Sequence, residues 1–413
     1  MKWQKQVTIE KIKQFGWSIN TVFLWLSVAM LFPFYIGGMA WLLVTFGLLW
    51  RHRKSWRHLV QDLGWIAGAW LFGVLIALWH GNQNGLIASG CLACAYLYFA
   101  LYYRSVRPIV YMQLLNIIAL GSIATSLMAI VGYWRYIGQN QLPLTYIMND
   151  DQPGYRAMAT LFNANYYSLF CIFAVVIGCY LISKTASRLW QGLYGLSIGL
   201  NFIGIFLTAS RMVLPALALS MMCYYWFENR KLVYTVMGLG ILGVIVFYLH
   251  SDLLARFSAG ALAHGFEERK WIWGGAWRLF RDYPLTGRGP MSYATYFYLY
   301  EGKGQPHAHQ LMLELLSSYG LYGITLYFLG MVSYFRDRVV LWRESSLKAE
   351  NGLLAAMMMA VLVHGLMDVS IMWIQTGYIL LVVMLCPVSL MRKVAELDAA
   401  EVVQQLWTKQ RKA

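Results

Sequence analysis

Apolar runs long enough to be helices, separated by short polar breaks, repeat along almost the whole chain. The first, residues 19–50, would be about 48 Å long as a single helix, against a bilayer core of about 30 Å. Pro33 and Gly37-Gly38 interrupt it, so it predicts two short helices, 19–33 and 36–50, joined by a tight turn. Further runs predict spans at 63–80, 88–103, 109–132, 157–183, 189–208, 212–227, 232–249, 310–334, 352–371 and 374–391. The pattern is that of an all-α integral membrane protein of about twelve transmembrane helices, with one long loop at 250–307 and a shorter one at 133–156. No internal repeat and no separate soluble domain stand out, so 1–413 reads as a single polytopic membrane domain.

The positive charges orient this arrangement. With a cytoplasmic N-terminus, the alternate segments on the inner side carry 23 of the 33 Lys and Arg. The outer side has 10, seven of them in 250–307. Long loops cross regardless of charge and are left out of such a comparison, so the bias predicts both termini inside and 250–307 outside. That loop is rich in Trp, Tyr and Arg and lacks the Ser, Pro and Gln bias of a disordered tether.

Composition strengthens the membrane reading. Of the 413 residues 59% are apolar and 12% charged, with a mean hydropathy of +0.52, whereas soluble domains have roughly 45–50% and 25%. A water-soluble globule is excluded. The 18 Trp and 28 Tyr suit interfacial belts, and nucleic-acid binding is a poor use of them. The net charge of +15 is largely topological. Cys91, Cys94, Cys171, Cys179, Cys223 and Cys386 all lie in apolar stretches and read as packing residues rather than metal or redox ligands. The apolar run after the basic start continues past a signal-peptide core, so no cleaved signal is expected.

Candidate chemistry gathers on the outer side. Arg211, in Thr208-Ala209-Ser210-Arg211, stands where one span ends and the next begins. It reads either as a snorkelling interface anchor or as an anion ligand. Within the long loop, Glu267 to Tyr283 has helical character, and Arg269, Trp273, Ala276 and Phe280 share a face. This is either a plain interfacial helix or one aiming Arg269 at the bundle. Pro284-Leu285-Thr286-Gly287-Arg288-Gly289-Pro290 then turns the chain, and its glycines could offer N–H groups to an anion. In Pro306-His307-Ala308-His309-Gln310, Pro306 suits a helix start. His309 would then lie in the first turn, facing inward with Leu313 and Leu316, and His307 would be turned about 200° away. His309 reads as a general base or as a hydrogen-bonded interface histidine. Zinc is disfavoured because no third ligand is apparent. His364 and Asp368, four apart in one predicted helix, form either a functional or a structural pair.

These segments resemble the bacterial O-antigen ligase and O-antigen polymerase family of membrane glycan transferases. Arg156-Ala-Met-Ala-Thr-Leu-Phe-Asn163-Ala-Asn165 is similar to its arginine and F-x-N-P-N stretch, with Ala164 in place of proline. Thr208 to Arg211 resembles its T-x-S-R turn, and Arg269 to Trp273 through Pro284 to Pro290 its R-x-x-x-W and P-L-x-G-x-G. His307-Ala-His309-Gln310 through Gly320-Leu-Tyr-Gly323 resembles H-x-H-N and G-x-x-G, with Gln310 in place of asparagine. His364-Gly-Leu-Met-Asp368 resembles the late H-G-x-x-D. The matches run in order over about 156–368.

The resemblance implies a GT-C-like, metal-independent fold in the bacterial cytoplasmic (inner) membrane, with its active site on the external face and no cofactor. It implies a glycosyltransferase that moves a glycan from a polyprenyl (undecaprenyl) diphosphate donor to an acceptor hydroxyl on a glycan or lipid. Arg211 and Arg269 would hold the diphosphate and His309 would activate the acceptor. Arg156, Asn165, Arg288, His307, Gln310, His364 and Asp368 would support them. One-step displacement would invert the anomeric centre. Polymerase and ligase are not separated by the sequence. A lipid-linked glycan flippase or secondary transporter is the alternative, but it would show two pseudo-repeated halves broken at midplane.

Overall fold

The computed structural model describes residues 19–51, 53, 63–150, 152–249, 255 and 258–410. The N-terminal segment 1–18, most of the basic stretch 51–57, Asp151 and most of 250–257 lie outside the described residues, with whatever the sequence predicts for them. Among the described residues there is no strand. The principal helices are α1 (Ile19–Ala29), α2 (Phe34–Arg51), α3 (Trp65–Trp79), α4 (Gln83–Ser105) and α5 (Pro108–Gln139). They continue as α6 (Ala164–Ser183), α7 (Arg188–Leu207), α8 (Val213–Glu228), α9 (Arg230–Leu249) and α10 (Ala259–Asp282). The chain ends with α11 (Leu311–Leu341), α12 (Lys348–His364), α13 (Ile374–Met384), α14 (Val388–Val394) and α15 (Ala399–Gln410).

A helix stands in each apolar run. Among the described residues seven are long and apolar enough to cross a membrane: α2, α4, α5, α6, α7, α11 and the stretch Ser345–His364 that contains α12. α1, α3 and α13 are apolar but shorter. Large apolar side chains such as Leu43, Phe46, Leu71, Leu75, Leu239 and Phe328 stand exposed on the outer faces. Water would not tolerate that surface and lipid would, so the chain is an integral membrane protein.

α6 is the axis of the bundle. Every residue from Tyr167 to Gly178 is buried, as expected of a helix apolar all round, and α5, α7, α8, α12 and α13 pack about it. Small polar groups join the neighbours. Asn201 of α7 donates to Ser122 Oγ of α5 (2.7 Å), and Ser122 and Ser197 share a hydrogen bond (2.9 Å). Such contacts replace the hydrophobic drive that lipid does not supply.

At one end of the bundle the α1–α2 turn, the start of α6, the α7–α8 turn, the start of α11 and the end of α12 converge. Backbone bonds from Ala157 to Leu207 (2.9 Å) and from Leu311 to Gly365 (2.7 Å) tie them together. At the other end Lys184 pairs with Glu350 (3.4 Å), and Arg338 reaches the Cys386 carbonyl.

Several elements depart from the sequence pattern. The segment 250–307 is not chiefly loop: α10 is 24 residues long and begins well before Glu267, capped by Ser258. Its buried side is Ala261, Ile272, Ala276 and Leu279, with Arg269, Trp273 and Phe280 beside it rather than at its centre. α6 starts at Ala164 rather than 157, because Asn163 caps it and Phe162 adopts a left-handed φ of 59°. α15 was hidden by its mixed composition; it packs on α5 and buries Val402 and Val403.

The turn Pro284 to Pro290 departs most. Gly320, at φ 56° and ψ −170°, breaks α11, and the turn docks into that break. Gly289 donates to the Ser318 carbonyl (2.8 Å) and Gly287 to Tyr283 (2.9 Å), while Leu321 and Tyr322 donate back to Pro284 and Leu285 (both 2.9 Å). The two glycine N–H groups are spent on the fold and do not cradle an anion.

Candidate functional site

Arg156, just before α6, donates from Nε to the Thr208 carbonyl (2.7 Å) and from Nη2 to Asn165 Oδ1 (2.8 Å). Asn165 in turn donates from Nδ2 to Asp368 Oδ2. Asn163 fixes this geometry, since its side chain caps the α6 amides of Asn165 (2.8 Å) and Tyr166 (3.4 Å). Ala164 is then the first helical residue, where proline is favoured but not required. The α7–α8 turn passes through Ala209 at φ 46° and delivers Arg211, whose guanidinium lies so close to Gly265 of α10 that a side-chain carbon there would collide with it.

α12 ends at His364, and Asp368 lies beyond the helix, so the pair does not share one helical face as its spacing suggests. His364 Nε2 meets Ser168 Oγ (3.0 Å). The unwound Met367 carbonyl accepts from Arg269 Nη1 (2.8 Å), which brings α10 onto the end of α12.

Pro306 does not open α11. The helix begins at Leu311 with Gln310 as its cap, the Gln310 side chain accepting from the Leu313 amide. The buried Glu314 carboxylate reaches back to the Ala308 N–H (2.8 Å). An asparagine at 310 would be the more usual cap, so glutamine keeps that role with a longer arm. His309 precedes the helix at φ 51°, a left-handed conformation uncommon outside glycine. This kink turns both histidines the same way. His309 Nδ1 lies 3.5 Å from Asp368 Oδ2 and His307 Nε2 lies 3.7 Å from Asp368 Oδ1, with the rings 4.1 Å apart. His307 is therefore not turned away. Asp368 also supplies the third donor that the sequence did not reveal: these three groups lie within 4.8 Å of one another, a spacing that fits a metal ion as well as a His–Asp relay.

A cavity of about 830 Å³ opens beside these groups, lined among others by Arg156, Asn165, Ser210, Arg211, Arg269, His309, His364 and Asp368. Its volume is that of a ligand pocket. Burial lowers the Arg269 guanidinium somewhat, opposed by Asp368 and Glu268, and it stays charged. Burial would raise the Asp368 carboxyl, but the interaction with His309 and the charges of His309, His307 and His364 outweigh it, holding it well below the usual carboxylate range. Burial, then His309, push His307 down to about 4 against the pull of Asp368. The site thus joins an ionised carboxylate to imidazoles beneath several guanidinium groups.

Of the candidates, Arg156, Asn165, Arg211, Arg269, His309, His364 and Asp368 line one cavity, with His307 against Asp368 but outside that lining and Gln310 in a capping role. Arg288 is elsewhere: its guanidinium is held between the rings of Tyr283 (4.3 Å) and Tyr296 (4.6 Å). Sequence reasoning passed over Ser168, whose signal is its i+3 spacing from Asn165, and Gly265, whose role exists only through contact with Arg211.

No curated protein matches the chain. Residues 196–328, which carry Arg211, Arg269, His307 and His309, match the family model described as O-antigen ligase, and with the helical membrane architecture this match supports assigning the chain to the O-antigen ligase and polymerase family.

Proposed function

We propose that the protein transfers a glycan from a polyprenyl diphosphate to an acceptor hydroxyl, on a second glycan or a lipid, at the external face of a bacterial cytoplasmic membrane. The observation that carries this reading is one cavity lined by Arg156, Arg211 and Arg269 together with a histidine beside a buried carboxylate. A lipid diphosphate needs cationic clamps and brings its own leaving group. Arginine suits the clamp because its planar fork binds phosphate through paired hydrogen bonds.

In the proposed step Asp368 receives the Nδ1–H of His309, leaving Nε2 to take the acceptor proton. The acceptor oxygen forms a bond to the anomeric carbon as the carbon–oxygen bond to phosphate breaks, and the diphosphate leaves with the electron pair. The arginines stabilise its charge, and attack opposite the leaving group inverts the centre. No step is routed through a metal. Polymerase and ligase share this donor chemistry and differ in the acceptor.

The test is product formation by purified protein with lipid-linked glycan extracted from its host. Each charge-assisted contact contributes about 1.5–3 kcal/mol, so Arg211→Ala and Arg269→Ala should each lower transfer by roughly 10- to 100-fold or more. Lysine at either position should restore part. EDTA should leave the wild type unchanged. Full activity in both alanine variants would remove the clamp assignment, and loss in EDTA restored by Mg²⁺, Mn²⁺ or Zn²⁺ would reassign His307, His309 and Asp368 to a metal.

A further inference from the structure

A line of aromatic rings leads to the histidines from outside the cavity. Tyr35 and Phe162, both more than half exposed, lie with ring centroids 6.2 Å apart, and Phe34 meets Phe162 edge-on at 5.7 Å. Phe34 contacts Trp373 at 4.8 Å, Trp373 contacts Tyr166 at 4.8 Å, and Tyr166 contacts His307 at 6.3 Å. None of these six residues lines the cationic cavity. The line therefore meets Asp368 at Oδ1 through His307 Nε2, while His309, which lines the cavity together with Asp368, stands beside Oδ2.

From this geometry we infer that the line is a binding rail for the sugar rings of the acceptor, resting on the transfer reading above and extending it to the second substrate. Pyranose rings present flat C–H faces that stack on aromatic rings, and a transferase whose donor fills one side of the base needs a separate approach for the acceptor.

Two features set the rail apart from an ordinary interfacial belt. Phe162 holds its exposed ring at φ 59°, a conformation that costs a bulky residue free energy and survives only where its surroundings impose it. Gln375 pins the rail at both ends of its amide, accepting from Trp373 Nε1 (2.9 Å) and donating to the Phe32 carbonyl (2.8 Å) in the α1–α2 turn. A lipid anchor requires neither device. The rings touch in series and end at a partly buried histidine.

Photocrosslinking in the protein's own host cell tests this whatever the identity of the glycan. p-Benzoylphenylalanine replaces Phe162 or, as a second exposed probe, Tyr35; it also replaces Met212 in the cavity wall and the lipid-facing Leu75. After irradiation the purified protein is examined by mass and by periodate staining. Carbohydrate-bearing adducts are expected at Phe162, Tyr35 and Met212, and lipid alone at Leu75. In an Arg269→Ala background capture at Met212 should fall at least fivefold, with capture at Phe162 and Tyr35 within twofold of its former level. Lipid alone at both rail positions, with glycan at Met212, overturns the rail and leaves the donor site standing. Glycan at none of the three overturns both. Joint loss in the Arg269→Ala background assigns the rail to the donor's own glycan and overturns the acceptor assignment.

Discussion

His309 combines a left-handed backbone, an aspartate partner and a place in the cavity wall. Left-handed geometry at a non-glycine residue costs on the order of 1–3 kcal/mol and is kept where the surroundings impose it. Removing its ring should abolish transfer and spare donor binding, because arginines hold the diphosphate. His307 shares Asp368 but lies outside the cavity lining, so His307→Ala should slow transfer while His309→Ala stops it. Paired transfer and donor-binding assays check both, and an inactive His307→Ala beside an active His309→Ala would reverse the roles. His307 also makes stability pH-dependent. With its pKa lowered to about 4 in the folded chain and about 6.5 unfolded, the unfolded state takes up the proton first as pH falls. Stability is therefore lost downward from pH 6.5, by about 2 kcal/mol at pH 5. A thermal midpoint in detergent that falls between pH 6.5 and pH 5 in the wild type should fall less in His307→Gln.

At the scale of elements, the break in α11 at Gly320 is what the Pro284–Pro290 turn grips. A Cβ at Gly320 would lie 2.5 Å from the Leu285 carbonyl carbon, at a φ of 56° that favours glycine. Strain and overpacking together put the cost of Gly320→Ala at about 2 kcal/mol or more. The check is thermal unfolding of the purified variant, where a midpoint equal to wild type would count against the clasp. Helix α10 shows how far pattern reading reaches: the spacing through Arg269 and Ala276 found the helix, but neither its length nor the centre of its buried side. Its first turns, Ala259 to Phe266, mix Gly, Ala and His with few apolar anchors and are placed by Ser258 and by contact with Arg211. The start of α11 escapes pattern reading for a related reason. Pro306 is a permissible helix opener, yet the Gln310 cap and the Glu314 bond to Ala308 make the later start more stable.

For the whole molecule, the charge bias predicts an orientation that can be tested. Gly302 lies at the end of a short helix after α10 and Ser345 just after α11, both exposed. A cysteine at Gly302 should react with a membrane-impermeant thiol reagent in intact cells or spheroplasts and one at Ser345 should not; the reverse pattern would invert the topology and the side of the site. The apolar runs by themselves determined the helical membrane class and the position of nearly every helix, because in lipid the backbone must satisfy its own hydrogen bonds and a run of that length has one way to do so. Sequence also named most of the cavity's ionisable groups, since arginine and histidine near a membrane stand out against an apolar background. What only the tertiary structure decided was their company. Asp368 meets both histidines because α12 unwinds after His364 and His309 kinks ahead of α11, while Arg288 is drawn off between two tyrosines. Those outcomes follow from how helix ends far apart in the chain are capped and docked against each other, and no local periodicity records that.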